Sequence, residues 1–92
     1  MEILQTDNGA KGEFYIEIEG KIVAQMSYVW AGEDKIIIDH TEVDNSLKGK
    51  GAGKQMLLKT VEFARSKGIR ILPLCPFAKA MIDRSKELQD IL

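Results

Sequence analysis

The sequence predicts a small α/β (α+β) domain in which a meander of three antiparallel strands is joined through a helix to a parallel fourth strand. Three observations favour this fold class. Residues 13–43 contain three extended, apolar-rich segments separated by short glycine turns. Gly51 to Lys67 has the apolar spacing of an amphipathic helix. Ile69 to Leu74 follows as a short apolar segment, and a strand reached through a helical crossover pairs in parallel with the strand before it.

The strands of the meander are predicted at Glu13–Glu19, Ile22–Trp30 and Lys35–Val43. Apolar and polar residues alternate along the first of them, which is typical of a half-buried strand. The turn at Gly20 predicts an antiparallel hairpin between the first two strands, and the polar segment Asp7–Gly12 before them is expected to be a turn. The third strand is rich in β-branched residues, which favour sheets.

Regular alternation along the third strand assigns its side chains to two faces. We expect His40 and Glu42 to share a face with Ile36 and Ile38, and Thr41 to point to the opposite face. This arrangement places the histidine and the glutamate together and separates both from the threonine.

Two helical segments are predicted after the long helix, which Gly68 ends. A proline is favoured at the first helical position because its missing N–H is not needed there, so a helix begins at Pro76 with Cys75 as its cap. The last segment, Ser85 to Leu92, is amphipathic and expected to pack on the sheet. The apolar side of the second helix is predicted to consist of Phe77, Ala80 and Met81.

Composition and charge narrow the possible functions. The 92 residues, 45% of them hydrophobic, are expected to form a single domain, 1–92, with its own core. A net charge of −1 gives no overall field to hold nucleic acid, and no apolar run approaches the roughly 18 residues of a membrane span. One cysteine excludes an internal disulfide, and with one histidine it argues against a metal site. We therefore expect a cytoplasmic protein, monomeric or weakly dimeric, that binds neither nucleic acid nor membranes.

The segment between the third strand and the long helix is rich in glycine and lysine. If a helix starts there, its first N–H groups lack partners and its dipole favours an anion, so we expect a phosphate to bind. A P-loop is excluded because Gly49 and Gly53 are one residue too close and Lys54 is followed by Gln55, which has no hydroxyl. A dinucleotide fingerprint is weak because the third glycine is missing.

A third phosphate-binding pattern fits the segment. Lys48-x-x-Gly51-x-Gly53 resembles the acyl-coenzyme A (CoA) pyrophosphate loop of the GNAT superfamily of N-acetyltransferases, although Lys48 replaces the usual glutamine or arginine. Two further segments extend the resemblance, Asp39-His40-Thr41-Glu42-Val43 and Leu74-Cys75-Pro76-Phe77-Ala78. With them, the chain is similar to small, minimal GNAT-like acetyltransferases of about a hundred residues. The resemblance covers essentially the whole chain and implies acetyl-CoA as cofactor, bound where the third and fourth strands splay.

The resemblance implies two groups of cofactor-binding residues. Backbone N–H groups near Thr41 and Val43 are expected to meet the thioester carbonyl and the pantetheine amides. The pyrophosphate is expected to accept hydrogen bonds from the loop backbone, with its lysines as counter-ions. The loop residues are Lys48, Gly49, Lys50, Gly51, Ala52, Gly53 and Lys54.

Three side chains are candidates for catalysis. Cys75, as the cap of a helix, would meet the positive end of a helix dipole, which stabilises a thiolate that can accept an acetyl group or act as a base. His40 is a candidate general base, and Glu42 resembles the position of a carboxylate base in larger relatives. The alternatives are a buried inert cysteine, a structural histidine and a solvated carboxylate.

These observations predict an acetyl-CoA-dependent N-acetyltransferase whose acceptor is an unidentified small-molecule or peptide amine. One alternative is a module that binds or senses CoA or acyl-CoA without catalysis. Another is a small interaction domain whose glycine turn binds no ligand. No residue pattern identifies the acceptor.

Overall fold

The computed structural model describes residues 2–92 and contains one five-stranded mixed sheet. The strands lie side by side in chain order, antiparallel except for the last pair. They are β1 (Leu4–Asp7), β2 (Lys11–Ile18), β3 (Lys21–Trp30), β4 (Lys35–Val43) and β5 (Arg70–Pro73). The helices are α1 (Ala52–Lys67) and α2 (Pro76–Arg84), with 3₁₀ turns at Asn45–Leu47 and Lys86–Ile91. The predicted fold class is confirmed.

Strand β1 was not expected from the sequence. It pairs antiparallel with β2, from Leu4 opposite Tyr15 to Asp7 opposite Gly12. Its sequence, Leu-Gln-Thr-Asp, lacks an apolar alternation, so periodicity does not predict the strand. Side-chain hydrogen bonds from β3 add to its pairing with β2. The Asp7 carboxylate accepts hydrogen bonds from the Tyr28 hydroxyl at 2.6 Å and from Trp30 Nε1 at 3.0 Å. These contacts tie the edge of the sheet to β3.

The hydrogen bonds around Asp7 also set its protonation. Partial burial by itself would raise the pKa of Asp7, but the Tyr28 hydroxyl, the Gly9 N–H and the Trp30 indole all donate to the carboxylate, and their sum lowers this pKa below 3.8. For Tyr28, burial and the bond to Asp7 raise the pKa of the phenol well above 10.0. Both pKa shifts favour the same protonation state, in which the neutral Tyr28 phenol donates a hydrogen bond to the charged Asp7 carboxylate.

A β-bulge in β4 corrects the predicted faces of that strand. Ser27 pairs with His40 and Tyr28 pairs with Ile38, so Asp39 is an extra residue without a partner in β3. The bulge shifts the alternation by one residue. Thr41 therefore lies on the face of Ile38, whereas His40 and Glu42 point to the opposite face, so the expectation that these two share the face of Ile36 and Ile38 is wrong.

Both helices and the final 3₁₀ turn cover the same face of the sheet. The buried strand residues all belong to that face and form one cluster with α1, α2 and the last turn. On the other face no residue between 2 and 92 is fully buried, so we call it the open face; it includes Glu13, Tyr15, Gln25, Ser27, Ile37, His40 and Glu42. None of the helices formed by residues 2–92 is long and apolar enough to cross a membrane.

Replacing Asp7 with asparagine tests the role of its charge in holding β1. Because folding lowers the pKa of Asp7, its contribution to stability is complete above 3.8 and is lost as the pH falls through the lower, folded value. We expect Asp7→Asn to reduce the free energy of unfolding by about 1 kcal/mol near neutral pH. The variant should also lose less stability on acidification, measured by urea unfolding at several pH values.

Asp83→Asn is the matched control, since it removes an exposed carboxylate that pairs with Lys79 one helical turn away. Equal losses of stability at neutral pH in the two variants would contradict the role assigned to Asp7.

Candidate functional site

The glycine loop between β4 and α1 presents unpaired backbone donors. Gly49 and Gly51 have φ angles of 79° and 72°, in the left-handed region that L-residues with side chains rarely adopt. Gly51 caps α1, whose first hydrogen bond runs from the Gln55 N–H to the Gly51 carbonyl at 2.9 Å. Among residues 2–92, no acceptor is found for the N–H groups of Gly49, Gly51, Ala52, Gly53 and Lys54.

These donors make the start of α1 an anion-binding site in physical terms. The first turn contains no acidic residue, and the space beside Gly49 and Gly51 is open to 4 Å around the position of a Cβ atom. A helix N-terminus of this kind favours a bound anion through its dipole and its free N–H groups. Lysines at positions 48, 50 and 54 supply positive charge around it.

Gly53 is required for a different reason from the other two glycines. A Cβ atom at this position would lie 2.6 Å from Cζ of Phe77, closer than any van der Waals contact allows. The missing side chain lets the Phe77 ring pack directly over the first turn of α1. This contact joins the starts of α1 and α2 and forms one wall of the site.

A groove of about 300 Å³ begins at the glycine loop and lies between the starts of α1 and α2. It places most of the predicted cofactor residues together, although Thr41 and Lys50 are not among its lining residues. Phe77, 39% exposed, and Met81 line it as well. Of the apolar side predicted for α2, Met81 packs partly against the core, whereas Ala80 is exposed and Ala78 and Ile82 are the buried residues. The lining residues are Val43, Leu47, Lys48, Gly49, Gly51, Ala52, Gly53, Lys54, Phe77 and Met81.

Two larger surface cavities, of about 550 and 420 Å³, lie elsewhere. The first is bordered by β1, β2 and β3 and reaches Asp39, and the second lies at the ends of β3 and β4 beside Glu42. Neither is lined by the glycines of the loop, so neither offers the same cluster of free backbone donors. The smaller groove is therefore the better anion site despite its volume.

The parallel strands β4 and β5 part after Ile38. Their pairing ends with Ile38 opposite Pro73, and the Ile38 carbonyl accepts hydrogen bonds from the N–H groups of both Leu74 and Cys75 at 3.0 Å. Beyond this point β4 continues to Val43 without β5 beside it. Because the Asp44 N–H is bonded to β3, the alternation of an antiparallel ladder turns the N–H and C=O groups of Thr41 and Val43 toward the gap.

Cys75 lies where the two strands part. It is the N-terminal cap of α2, as predicted, and is only 5% exposed. Its Sγ lies 3.2 Å from the Thr41 hydroxyl, with the thiol as the donor. A nucleophilic atom and free backbone groups thus meet in the same gap.

The other two catalytic candidates do not meet Cys75. His40 Nε2 lies 3.6 Å from the Glu42 carboxylate, and their side chains are 61% and 70% exposed on the open face. Cys75 contacts Thr41 on the face that the helices cover. The structure therefore divides the candidates into a buried thiol on one side of β4 and an exposed imidazole–carboxylate pair on the other.

Comparison with known proteins identifies relatives of this architecture. The sequence profile of the GCN5-related N-acetyl-transferase family matches residues 13–91. The solution structure of a GCN5-like protein from Staphylococcus aureus is 36% identical and superposes with a TM-score of 0.75, covering 98% of this chain and 85% of that one. No curated protein matches the chain.

Larger acetyltransferases share the fold at low identity. A ribosomal-protein-alanine N-acetyltransferase from Brucella melitensis is 14% identical, with a TM-score of 0.66 over 84% of this chain and 62% of that one. A GNAT family acetyltransferase from Elizabethkingia anophelis, solved with acetyl-CoA bound, is 11% identical, with a TM-score of 0.63 over 82% and 52%. The chain thus spans little more than half the length of these larger proteins.

Adding one methyl group at Gly53 tests the packing of Phe77 against the loop. We expect Gly53→Ala to be destabilising because overpacking costs about 1–3 kcal/mol, only partly offset by the higher helix propensity of alanine, about 1 kcal/mol. In a Phe77→Ala background the same change should become neutral or stabilising, because the ring is gone. Thermal unfolding of the four proteins of this double-mutant cycle measures the coupling.

The same loss of stability from Gly53→Ala with and without the Phe77 ring would show that the two residues do not touch in solution.

Proposed function

The chain belongs to the GCN5-related N-acetyltransferase family, and we propose that it transfers the acetyl group of acetyl-CoA to an amine. The observation that carries this proposal is the groove between the glycine loop and the start of α2, which brings the free N–H groups of the loop together with Lys48, Lys54, Phe77 and Met81. Acetyl-CoA supplies a thioester whose carbonyl carbon is open to a nucleophile. The overall reaction forms an amide, releases CoA as a thiol and transfers one proton from the amine to that thiol.

The loop residues suit the pyrophosphate of the cofactor. Five backbone N–H groups without partners among residues 2–92 and the N-terminus of a 16-residue helix provide donors and a favourable dipole. Lys48 and Lys54 line the groove and supply counter-charge, while Lys50 lies just outside it. We propose that Phe77 and Met81 contact the apolar part of the pantetheine arm, since they form the apolar wall of the same groove.

The gap between β4 and β5 suits the amide groups of that arm. The backbone N–H and C=O groups of Thr41 and Val43 face the gap, and no strand formed by the described residues lies beside them. A buried backbone donor or acceptor without a partner is costly, so a ligand that pairs with these groups is stabilised. We propose that they hold the arm and donate to the thioester oxygen as it gains negative charge.

We propose that side chains on the two faces of β4 have separate roles in the reaction. We propose that Cys75 acts on the helix-covered side, where its sulfur can accept the acetyl group or a proton. His40, paired with Glu42, is proposed to accept a proton from an amine that approaches over the open face. No element formed by residues 2–92 covers this part of β4, so an acceptor can reach it.

A second candidate function is binding or sensing of acyl-CoA without transfer. It is favoured by one observation, the low exposure of Cys75 together with its separation from His40 and Glu42. In that case the groove and the loop act as before, and the bound ligand stabilises the folded domain for a partner protein.

Removing one lysine at a time tests the position of the pyrophosphate. We expect Lys48→Ala and Lys54→Ala each to weaken acetyl-CoA binding about threefold to tenfold, because each removes a counter-charge that lines the groove. The loss should shrink at high salt, since exposed charges are screened. Isothermal titration calorimetry at two ionic strengths measures both effects.

Lys59→Ala is the matched control, because Lys59 lies on the same helix but lines a different surface cavity. If this variant lost as much affinity as Lys54→Ala, the effect would be one of overall charge and the pyrophosphate would bind elsewhere.

Mass spectrometry after incubation with acetyl-CoA tests the role of Cys75. We expect an adduct of one acetyl group in the wild-type protein or acetylated amine in an acceptor screen, and a loss of both in Cys75→Ala. Calorimetry should show that the variant still binds acetyl-CoA, because Cys75 does not line the groove around the loop. Retained binding with neither adduct nor product in the wild-type protein would favour the second candidate function.

A further inference from the structure

The contact between Thr41 and Cys75 assigns a specific task to the threonine. We propose that Thr41 is a positioning residue for Cys75, whose hydroxyl fixes the sulfur and stabilises its thiolate form. The use of that thiolate in acetyl transfer rests on the proposed function, but the effect of Thr41 on the thiol does not.

The bulge in β4 brings Thr41 to the thiol. Without the extra residue at Asp39, regular alternation would turn His40 and Glu42 toward the helix-covered face and Thr41 away from it. With the bulge, Thr41 pairs opposite the buried Met26, and its hydroxyl reaches Cys75 Sγ at 3.2 Å. The irregularity in the strand therefore decides which side chain meets the cysteine.

A hydroxyl suits both protonation states of the sulfur. In the thiol state Cys75 donates its proton to Thr41 Oγ1, which is the contact in the structure. Once that proton has left for water, the Thr41 hydroxyl can rotate and donate its own hydrogen to the thiolate, because a hydroxyl is both donor and acceptor. Within residues 2–92 the Thr41 hydroxyl has no other side-chain or backbone hydrogen bond, so nothing holds it in one orientation.

The low exposure of Cys75 increases the effect of this hydrogen bond on the thiolate. Cys75 is 5% exposed, so water contributes little to solvating a thiolate there. Hydrogen bonds to charged groups are stronger than neutral ones, and more so away from water. The Thr41 hydroxyl lies within hydrogen-bond distance of the sulfur, and the start of α2 presents the positive end of a helix dipole to it.

The ultraviolet absorbance of the thiolate, followed against pH without any cofactor, tests the proposal. The chain contains one cysteine, so the difference between each protein and the same protein carrying Cys75→Ala reports this sulfur alone and removes the absorbance of the tyrosines. Thr41→Val keeps the shape and removes the hydroxyl, whereas Thr41→Ser keeps the hydroxyl. We expect the thiolate signal at a given pH in the early part of the titration to fall about tenfold in Thr41→Val and to be restored in Thr41→Ser.

Thermal unfolding of both variants checks that they fold, and the rate of Cys75 alkylation by iodoacetamide gives a second measure of the thiolate. Identical thiolate titration curves in the wild-type protein, Thr41→Val and Thr41→Ser would overturn the proposal. A shift of the curve that is equal in Thr41→Val and Thr41→Ser would overturn it as well. Because neither measurement uses acetyl-CoA, a failure here is distinct from a failure of the proposed function, which would appear as absent acetyl transfer with an intact effect of Thr41.

Discussion

The parting of β4 and β5 at Ile38 is the constraint on which the site depends. One carbonyl, that of Ile38, accepts the N–H groups of both Leu74 and Cys75, so β5 cannot continue as a regular partner beyond this residue. Pro76 follows at once and starts α2, while β4 extends to Val43 with one edge unpaired. The separation of the two strands therefore exposes backbone groups of Thr41 and Val43 to the gap and places the Cys75 thiol beside it.

The glycine loop depends on the same geometry from the other side. β4 runs past the parting point before the chain turns into α1, and Phe77 near the start of α2 contacts the first turn of α1. The three glycines contribute separately: Gly49 and Gly51 provide left-handed backbone, and Gly53 provides room for the Phe77 ring. Sequence spacing alone suggests one shared purpose for them, and the structure separates these roles.

Much of this arrangement follows from local sequence rules. The periodicity of α1, its glycine ends and the proline at the start of α2 are local signals, so the helices, the free N–H groups and the capping position of Cys75 could be predicted. The crossover rule gave the parallel pair. By contrast, β1 is tied to β3 by hydrogen bonds from Tyr28 and Trp30 to Asp7. These donors are distant from Asp7 in sequence, so the contacts leave no periodic pattern.

The bulge at Asp39 shows most clearly why the site was only partly predictable. A strand of uniform alternation and one with an extra residue can have the same composition, yet they place Thr41, His40 and Glu42 on different faces. The wall formed by Phe77 is a second case, because its contact with Gly53 joins two helices that the sequence shows only separately.

An NMR titration of the isotopically labelled protein with acetyl-CoA tests the central claim most directly, since it observes the proposed backbone donors themselves. We expect the largest shifts in the amide signals of the loop, Gly49 and Gly51 to Lys54, and in those of Thr41 and Val43. No shift at millimolar acetyl-CoA, or shifts confined to the larger cavity around Asp39 and Ser27, would contradict it.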